Sequence, residues 1–235
     1  MNIVSDDREA IRIRLASLAD LPPSAEASLD WLNSSEQERL AAISAPRRRR
    51  QFLAGHWLAR EMAAEYGGGD SNDWDIVSSD SGAPMLVSRD GSRGMLQLSL
   101  THSGDRIASA VARQAIGLDL EFNPRPRDLG ALAQFVFSPE ENAALRALSE
   151  SEFAAAFYRC WTLKEAYGKQ QGTGLRIQAA RQQTFSECAP EQAMALAWQS
   201  DGVTLAIVGA QGIRAHLIGW ENAPEPTYWA LQGRA

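Results

Sequence analysis

The apolar residues of the chain recur at two spacings, which divide it into strands and helices. Apolar residues that alternate with polar ones, or that form short runs, predict strands, and such segments lie at residues 11–17, 96–100, 107–111, 116–122, 194–198, 203–208 and 213–220. Apolar residues spaced by four predict an amphipathic helix, and Phe153, Phe157 and Trp161 form one such stripe. Strands and helices alternate along the chain, so we expect an α+β fold.

Two long helices are predicted, each preceded by a shorter one. The long helices span residues 46 to about 66 and 153 to about 169, and glycine follows both, as is usual just past a last helical turn. The shorter helices open with Ser34-Ser-Glu-Gln37 and Ser138-Pro-Glu-Glu141. In such a capping box a serine caps the helix and the residue three later reaches back to its backbone. Pro139 suits the first helical position, where its missing N–H costs nothing.

An internal repeat organises the chain. An offset of 104 residues, without a gap, places the strand at 11–17 on residues 115–121 and the first pair of helices on the second. It matches Pro22 with Pro126, Ser34 with Ser138, Glu36 with Glu140, Gln37 with Glu141, Trp57 with Trp161, Arg60 with Lys164 and Glu61 with Glu165. We therefore predict a pseudo-dimer of two similar α+β halves, residues 1–108 and 109–235, with the active site between them.

Composition and charge exclude several classes of protein. The chain has 235 residues, enough for one large or two small domains, and its net charge of −6 argues against a general binder of nucleic acid or anionic membranes. No apolar run approaches the roughly 18 residues that span a bilayer, and the first residues lack the apolar core of a signal peptide. Two cysteines, Cys160 and Cys188, are too few for a disulfide framework. We expect a cytoplasmic protein.

Lysine is nearly absent from the chain, and its two occurrences lie five residues apart. Of the 23 basic residues, 21 are arginine, and only Lys164 and Lys169 are lysine, both within the segment WTLKEAYGK. Arginine does not replace lysine where a compact ammonium is needed, so this segment is a candidate functional site. Chance clustering of two rare residues is the alternative.

Three carboxylates form a pattern that suits a metal ion. Asp119 and Glu121 are two residues apart in a predicted strand, so both point to one face. Glu165 continues the apolar stripe of the second long helix, and Lys169 follows it one turn later. Three carboxylates without clustered His or Cys make an all-oxygen site of the kind that binds Mg²⁺ together with phosphate oxygens. The alternatives are a solvent-exposed edge strand and a simple Glu–Lys pair four residues apart.

A second candidate site is basic. Residues 47–50 are all arginine and lie at the start of the first long helix, where positive charge opposes the helix dipole. A phosphorylated ligand would compensate this charge, and a solvated basic face is the alternative. His102 follows the strand at 96–100 beside a Ser-Gly turn, so its side chain is a candidate to face a cleft. We interpret His56 and His216 as structural.

Six segments, taken in order, resemble those of a known family. They are the FLAG that follows the arginine run, Gly82-Ala-Pro84, LSLTHSG at 98–104, GLDLE at 117–121, FSPEE at 137–141 and WTLKEAYGK at 161–169. Together they resemble the 4′-phosphopantetheinyl transferases, in particular the long, surfactin-synthetase-type group, which is a pseudo-dimer of two α+β halves. The resemblance extends over most of the chain.

The resemblance implies an enzyme that moves 4′-phosphopantetheine from coenzyme A to a serine of an apo acyl or peptidyl carrier protein and releases adenosine 3′,5′-bisphosphate. It implies that Asp119, Glu121 and Glu165 bind Mg²⁺, or Mn²⁺ in its place. Glu165 also matches the general base, and Lys169 matches a lysine that contacts phosphate and assists the leaving group. We expect a monomer, with neither nucleic acid nor a membrane as partner.

The same resemblance assigns contacts with coenzyme A. The residues concerned are Thr101, His102, Arg49, Arg50 and Lys164, of which Lys164 has a salt bridge as its alternative role. Where the family has a lysine between glycine and proline, this chain has Ala83. A contact to phosphate or adenine is therefore absent or is supplied by the arginines. A non-catalytic module that binds the carrier protein or coenzyme A, and a different Mg²⁺-dependent phosphohydrolase, are the alternative functions.

Overall fold

Two units, each built on its own β-sheet, make up the part of the chain that a computed structural model describes, residues 9–79, 81–122 and 128–232. Unit 1 comprises the described residues up to Ile116 together with Arg214–Glu221, and unit 2 comprises Gly117–Ile213 and the described residues from Asn222 onward. Both units mix helices with a sheet, which confirms the predicted α+β class. Within these ranges no helix is both long and apolar enough to cross a membrane.

Unit 1 contains a six-stranded sheet and three helices. Numbered in chain order, its elements are β1 (Ile11–Ser17), α1 (Pro23–Ala27), α2 (Ser34–Ala41), α3 (Pro46–Gly67), β2 (Trp74–Ser78), β3 (Pro84–Ser88), β4 (Met95–Ser103), β5 (Arg106–Ala112) and β10 (Ala215–Ile218). The sheet order is β10-β1-β5-β4-β3-β2. The apolar face of α3 packs on this sheet, where Leu58 and Met62 share one buried core with Leu96 and Leu98.

Unit 2 contains a five-stranded antiparallel sheet and four helices. Its elements are β6 (Gly117–Phe122), α4 (Leu129–Val136), α5 (Pro139–Arg146), α6 (Glu150–Gln170), α7 (Ile177–Ala180), β7 (Phe185–Glu187), β8 (Ala195–Ser200), β9 (Val203–Val208) and β11 (Thr227–Leu231). The sheet order is β6-β9-β8-β11-β7. Helix α6 packs on the sheet through Leu163 and Ala166, and it packs against α4 and α5 through Phe157, which joins Val136 and Leu145 in a second core.

The two units repeat one arrangement. In each, the first strand pairs antiparallel with the second strand of a hairpin, β1 with β5 in unit 1 and β6 with β9 in unit 2, and a short capped helix precedes a long one. The caps of the short helices, Asn33 of α2 and Ser138 of α5, are 105 residues apart. The first residues of the long helices, Pro46 of α3 and Glu150 of α6, are 104 residues apart. The loop before the long helix is therefore one residue shorter in unit 2, and the offset without a gap was wrong. Pro126, predicted to match Pro22, lies outside the described residues.

The two predicted capping boxes have different outcomes. The second is confirmed, since the Glu141 amide donates to Ser138 Oγ at 3.1 Å and the Ser138 amide donates to Glu141 Oε2 at 2.9 Å. The first begins one residue earlier than predicted, because Asn33 and not Ser34 is the cap and Glu36 is its partner, at 2.9 and 3.0 Å. Asparagine caps a helix as well as serine does.

The long helices confirm the predicted pattern with one change at a boundary. Helix α3 ends as predicted among glycines, and Gly68 at its C-cap has φ +86°, a conformation that favours glycine. Helix α6 begins at Glu150, three residues before the predicted Phe153, because Ser149 and Glu152 form a further capping box. The polar first turn of α6 adds no apolar residue to the stripe, so the apolar periodicity did not reveal it.

Three strands pair differently from what their order along the chain suggests. Strands β5 and β6 follow one another along the chain but belong to different sheets. Strand β10 lies in unit 1, parallel to β1, although its neighbours along the chain belong to unit 2. The predicted boundary between residues 108 and 109 falls inside β5, and the units instead divide between Ile116 and Gly117.

Candidate active site

Helix α6 lies directly on strand β6, and Gly117 permits this close approach. A Cβ at Gly117 would lie 1.9 Å from the carbonyl oxygen of Ala166 and 2.4 Å from the amide nitrogen of Gln170. Lys169, one residue before Gln170, donates from Nζ to the Leu118 carbonyl at 2.9 Å and to Asp119 Oδ1 at 2.7 Å. The ammonium of α6 is thus bound to both the backbone and a side chain of β6.

Three carboxylates of unit 2 influence one another at this contact. Asp119 is buried, with 7% of its surface exposed, and Glu121 and Glu165 are half-buried. Burial is the largest cause that raises the pKa of Glu165 from 4.5 to about 6, and the negative charge of Asp119 is the second. Lys169 opposes this rise in the pKa, and Glu121 adds a smaller increase. The predicted set of Asp119, Glu121, Glu165 and Lys169 therefore shares one electrostatic environment.

The three carboxylates do not meet the requirements of a divalent ion by themselves. In the ranges that the structure describes, no three His, Cys, Asp or Glu side chains converge closely enough to form a metal site by themselves. The Lys169 ammonium instead neutralises part of the charge on Asp119. Mg²⁺ is usually held by one or two carboxylates, waters and substrate phosphates rather than by a complete cage of protein ligands. These all-oxygen, mutually repelling donors fit an ion that arrives with a phosphorylated substrate.

Lys164, the other lysine, is a buried structural residue. Its side chain is 1% exposed, and Nζ donates to Glu141 Oε2 at 2.9 Å and to the carbonyls of Ala180 at 2.6 Å and Gln183 at 2.5 Å. Burial lowers the pKa of this ammonium, and Glu141 opposes that change. All three N–H groups have acceptors, so the salt bridge considered as its alternative role describes Lys164, and no donor is left for coenzyme A.

The predicted coenzyme A contacts of unit 1 lie near one another. Arg47 pairs with Asp105 at 2.8 Å, and Gln51 donates to the Gly104 carbonyl at 3.0 Å, so the start of α3 lies beside the turn that follows β4. Thr101 and His102 are near the end of β4, where Thr101 is buried and His102 is exposed. The arginine run and the LSLTHSG segment thus meet at one end of unit 1.

The charges at the start of α3 are largely compensated by the protein. Arg49 donates to the carbonyls of Leu40 at 2.5 Å and Ile43 at 3.3 Å, which stabilises the C-terminal end of α2. Arg50 pairs with Glu26 at 3.1 Å, and both of these side chains are well exposed. Arg50 is therefore the more available of the two for a phosphate, because an exposed ion pair is weak and exchanges readily.

Sequence reasoning missed that unit 1 contains the same contact with its charges reversed. Arg14 of β1 binds Glu65 of α3 through two hydrogen bonds of 2.7 and 2.6 Å, whereas Asp119 of β6 binds Lys169 of α6. Arg14 faces α3 as Asp119 faces α6, so Arg14 is the counterpart of Asp119. The predicted offset of 104 residues had instead matched Asp119 with Leu15. An offset of 105 residues for the strands would have revealed this correspondence.

A cavity lies at the corresponding place in unit 1. It has a volume of about 300 Å³ and is lined in part by Arg14, Asp20, Trp57 and Glu61. Trp57 and Glu61 precede Trp161 and Glu165 by 104 residues. Within the cavity Trp57 Nε1 donates to Glu61 Oε1 at 2.9 Å, and Arg14 lies 3.7 Å from Glu61 Oε2, so these polar groups bind one another.

The chain is similar in sequence to known proteins of one superfamily. Residues 115–205 match the model of the 4′-phosphopantetheinyl transferase superfamily. The 4′-phosphopantetheinyl transferase HetI of a Nostoc species is 34% identical over 178 residues, which cover 74% of this chain and 73% of that protein. A 4′-phosphopantetheinyl transferase of Bacillus subtilis is 30% identical over 158 residues, which cover 62% and 68%, and the transferase Sfp of Bacillus subtilis is 28% identical over 158 residues, which cover the same shares.

Proposed function

Because the chain belongs to the 4′-phosphopantetheinyl transferase superfamily, we propose that it transfers 4′-phosphopantetheine from coenzyme A to a serine of an apo carrier protein. Adenosine 3′,5′-bisphosphate is the other product. The observation that carries this proposal is the cluster of Asp119, Glu121, Glu165 and Lys169, which lies on the two elements within the matched residues 115–205. The carrier is an acyl or a peptidyl carrier protein.

Glu165 is the proposed general base. Its pKa of about 6 leaves the carboxylate ionised at neutral pH and close to the range in which proton transfer is efficient. In the proposed reaction Glu165 accepts the proton of the serine hydroxyl, directly or through one water. The serine oxygen then forms a bond to the phosphorus that carries pantetheine, and the P–O bond to the adenosine bisphosphate breaks.

Asp119, Glu121 and Glu165 are the proposed ligands of Mg²⁺, or of Mn²⁺ in its place. The ion would polarise the pyrophosphate oxygens and offset negative charge as the P–O bond breaks. Lys169 would help to neutralise the leaving phosphate, since its ammonium is partly exposed and already lies at this end of β6. Carboxylates and an ammonium side by side can thus bind both an ion and the phosphate that accompanies it.

The binding of coenzyme A is proposed for the basic end of unit 1. Arg50, at the start of α3, and Thr101 and His102, near the end of β4, are its contacts, while Arg49 joins the start of α3 to the end of α2. Because this chain has Ala83 where the family has a lysine, the arginines bind more of the phosphate. We propose that the enzyme acts as a monomer in the cytoplasm, without nucleic acid or membrane.

Mass spectrometry of a carrier protein tests the proposal. The protein is incubated with coenzyme A, Mg²⁺ and several apo acyl and peptidyl carrier proteins, and at least one carrier is expected to gain the mass of one phosphopantetheine. Carriers that bind but gain no mass would indicate a non-catalytic module. Release of inorganic phosphate in place of adenosine 3′,5′-bisphosphate would indicate a phosphohydrolase. Transfer that persists in Glu121→Ala after removal of divalent ions would contradict the proposed metal site.

A further inference from the structure

Lys164 binds three oxygens that come from two segments outside its own helix. Glu141 belongs to α5, whereas the carbonyls of Ala180 and Gln183 belong to the end of α7 and the turn after it. Because an ammonium has three N–H donors and each of them has an acceptor here, a shift of the side chain in any direction lengthens at least one hydrogen bond. We call these three oxygens the Lys164 seat.

The Lys164 seat is rigid and suits lysine better than arginine. Glu141 Oε2 also accepts from the Ser138 amide at 2.9 Å, so the capping box of α5 fixes this carboxylate. Backbone carbonyls fix the other two oxygens. A planar guanidinium is larger than an ammonium and presents its donors in one plane, so arginine would not satisfy these three acceptors in the same space.

The seat lies next to the proposed base. Glu165 follows Lys164 directly, and successive side chains of a helix differ in direction by about 100°. Lys164 therefore faces α5 and α7, while Glu165 and Lys169 lie on the side of α6 towards β6. A rotation of α6 by roughly 10° would move the Glu165 carboxylate by about 1 Å, and a misplacement of about 1 Å at a reacting group costs about a hundredfold in rate.

We propose that Lys164 is a positioning residue that fixes the rotation of α6 and thereby places Glu165 for catalysis. This inference rests on the proposed function, since it concerns the same site. It accounts for a lysine at this position in a chain that otherwise uses arginine for all but one of its basic residues. Lys164 acts through α6 and touches neither substrate nor metal.

Unit 1 offers a natural control for this role. Arg60, 104 residues before Lys164, is also 1% exposed and pairs with Glu36, the capping-box glutamate of α2. Arg60 also donates to the His56 carbonyl at 3.2 Å, and His56 Nδ1 lies 2.6 Å from Glu36 Oε1. The two ion pairs therefore occupy equivalent places in the fold, and both of their cations are buried. Only the Lys164 pair lies beside a carboxylate that the proposed reaction uses.

Four variants of the full chain separate positioning from stability. They are Lys164→Met, Lys164→Arg, the double variant Lys164→Met/Glu141→Leu, and the matched control Arg60→Met/Glu36→Leu. The double variant leaves no unpaired buried charge, so it should fold even where Lys164→Met does not, because apolar replacement of a buried pair is often neutral for stability. Each variant is measured by its Tm, by its kcat and KM for the carrier, and by its Kd for Mn²⁺ in the presence of coenzyme A but without a carrier.

The expected results differ between the two units. In the double variant we expect kcat to fall about a hundredfold and the Kd for Mn²⁺ to rise about tenfold, with KM for the carrier nearly unchanged. Lys164→Arg should lose kcat in the same direction. The control Arg60→Met/Glu36→Leu also removes a capping-box glutamate and leaves no unpaired buried charge. It should have a kcat and a Kd for Mn²⁺ within about twofold of the unaltered chain, since its pair joins α3 to α2.

Two outcomes would overturn the inference. One is a folded double variant whose kcat and Kd for Mn²⁺ equal those of the unaltered chain. The other is an Arg60→Met/Glu36→Leu control that loses as much kcat as the Lys164→Met/Glu141→Leu variant, since this would indicate a general effect of stability. Failure of the unaltered chain to modify any carrier contradicts the proposed function instead. In that case the Mn²⁺ titration, which requires no turnover, still decides whether Lys164 positions the carboxylates.

Discussion

The two lysines show how a single residue type can indicate a site before its role is known. Both ammonium groups donate to a carboxylate and to backbone carbonyls. Lys164 binds one carboxylate and two carbonyls, and Lys169 binds one carboxylate and one carbonyl. Their rarity in the sequence indicated where to look. It did not indicate that Lys164 is buried, because the carbonyls that surround it are 16 and 19 residues away along the chain.

Replacement of Glu165 by glutamine should abolish transfer but stabilise the metal-free protein at neutral pH. Because the pKa of Glu165 is raised from 4.5 to about 6, the folded state binds more protons than the unfolded state between these values. The free energy of unfolding therefore falls as pH rises through this window and stays lowered above it. Glutamine removes this penalty, which for a half-buried group we estimate at about 1 kcal/mol.

Thermal melts from pH 5 to pH 8 in chelator test this prediction. Glu165→Gln should raise Tm by about 2–4 °C at pH 8 and by less at pH 5. Glu150→Gln, in the exposed first turn of the same helix, is the control and should change Tm equally little at both pH values. A Glu165→Gln variant that is less stable than the unaltered chain at pH 8 would contradict the electrostatic cause given for the raised pKa.

At the scale of elements, the site depends on how closely α6 approaches β6. Gly117→Ala should separate the two, because its Cβ would lie 1.9 Å from a backbone carbonyl oxygen that cannot rotate away. We expect a loss of about 3 kcal/mol or more in the free energy of unfolding and a large loss of transfer activity, since the Lys169–Asp119 contact is at the same place.

Gly55→Ala is the matched control for Gly117→Ala. Gly55 is buried in α3, but its Cβ would meet only Leu100 Cδ2 at 3.9 Å, which is an ordinary contact. Alanine there should stabilise the protein by about 0.5–1 kcal/mol through its helix propensity. Urea unfolding of both variants checks the pair. Equal stability of Gly117→Ala and the unaltered chain would show that the helix and strand can separate at little cost.

The elements differ in how far the sequence could predict them. Helix ends were predictable where they depend on neighbouring residues, as for the Ser138 box and the glycines after α3. Strand partners were not, since β5 and β6 are near in sequence yet pair with β1 and β9, respectively. The carboxylate site was predictable because alternation along β6 and the four-residue stripe of α6 each fix a face. The contact between those faces depends on packing, which no local pattern determines.

At the scale of the whole molecule, the two units share a plan but differ in charge. In unit 1 the strand supplies the cation, Arg14, and the helix supplies the carboxylates Glu61 and Glu65. In unit 2 the strand supplies Asp119 and Glu121, and the helix supplies Glu165 and Lys169. The Arg14 guanidinium is bound to Glu65 through two hydrogen bonds and permanently offsets part of the negative charge of Glu61 and Glu65, because arginine does not lose its proton.

This asymmetry predicts a single site for divalent ions in each chain, located in unit 2. Titration with Mn²⁺ in the presence of coenzyme A, followed by electron paramagnetic resonance, should give one equivalent of protein-bound ion, and Asp119→Asn should weaken that binding at least tenfold without a second class of sites becoming apparent. Arg14→Gln should add a second, weaker equivalent, because it removes the cation that now offsets the exposed carboxylates of Glu61 and Glu65. An unaltered chain that binds two ions, one of which persists in Asp119→Asn, would show that Arg14 does not exclude metal from unit 1.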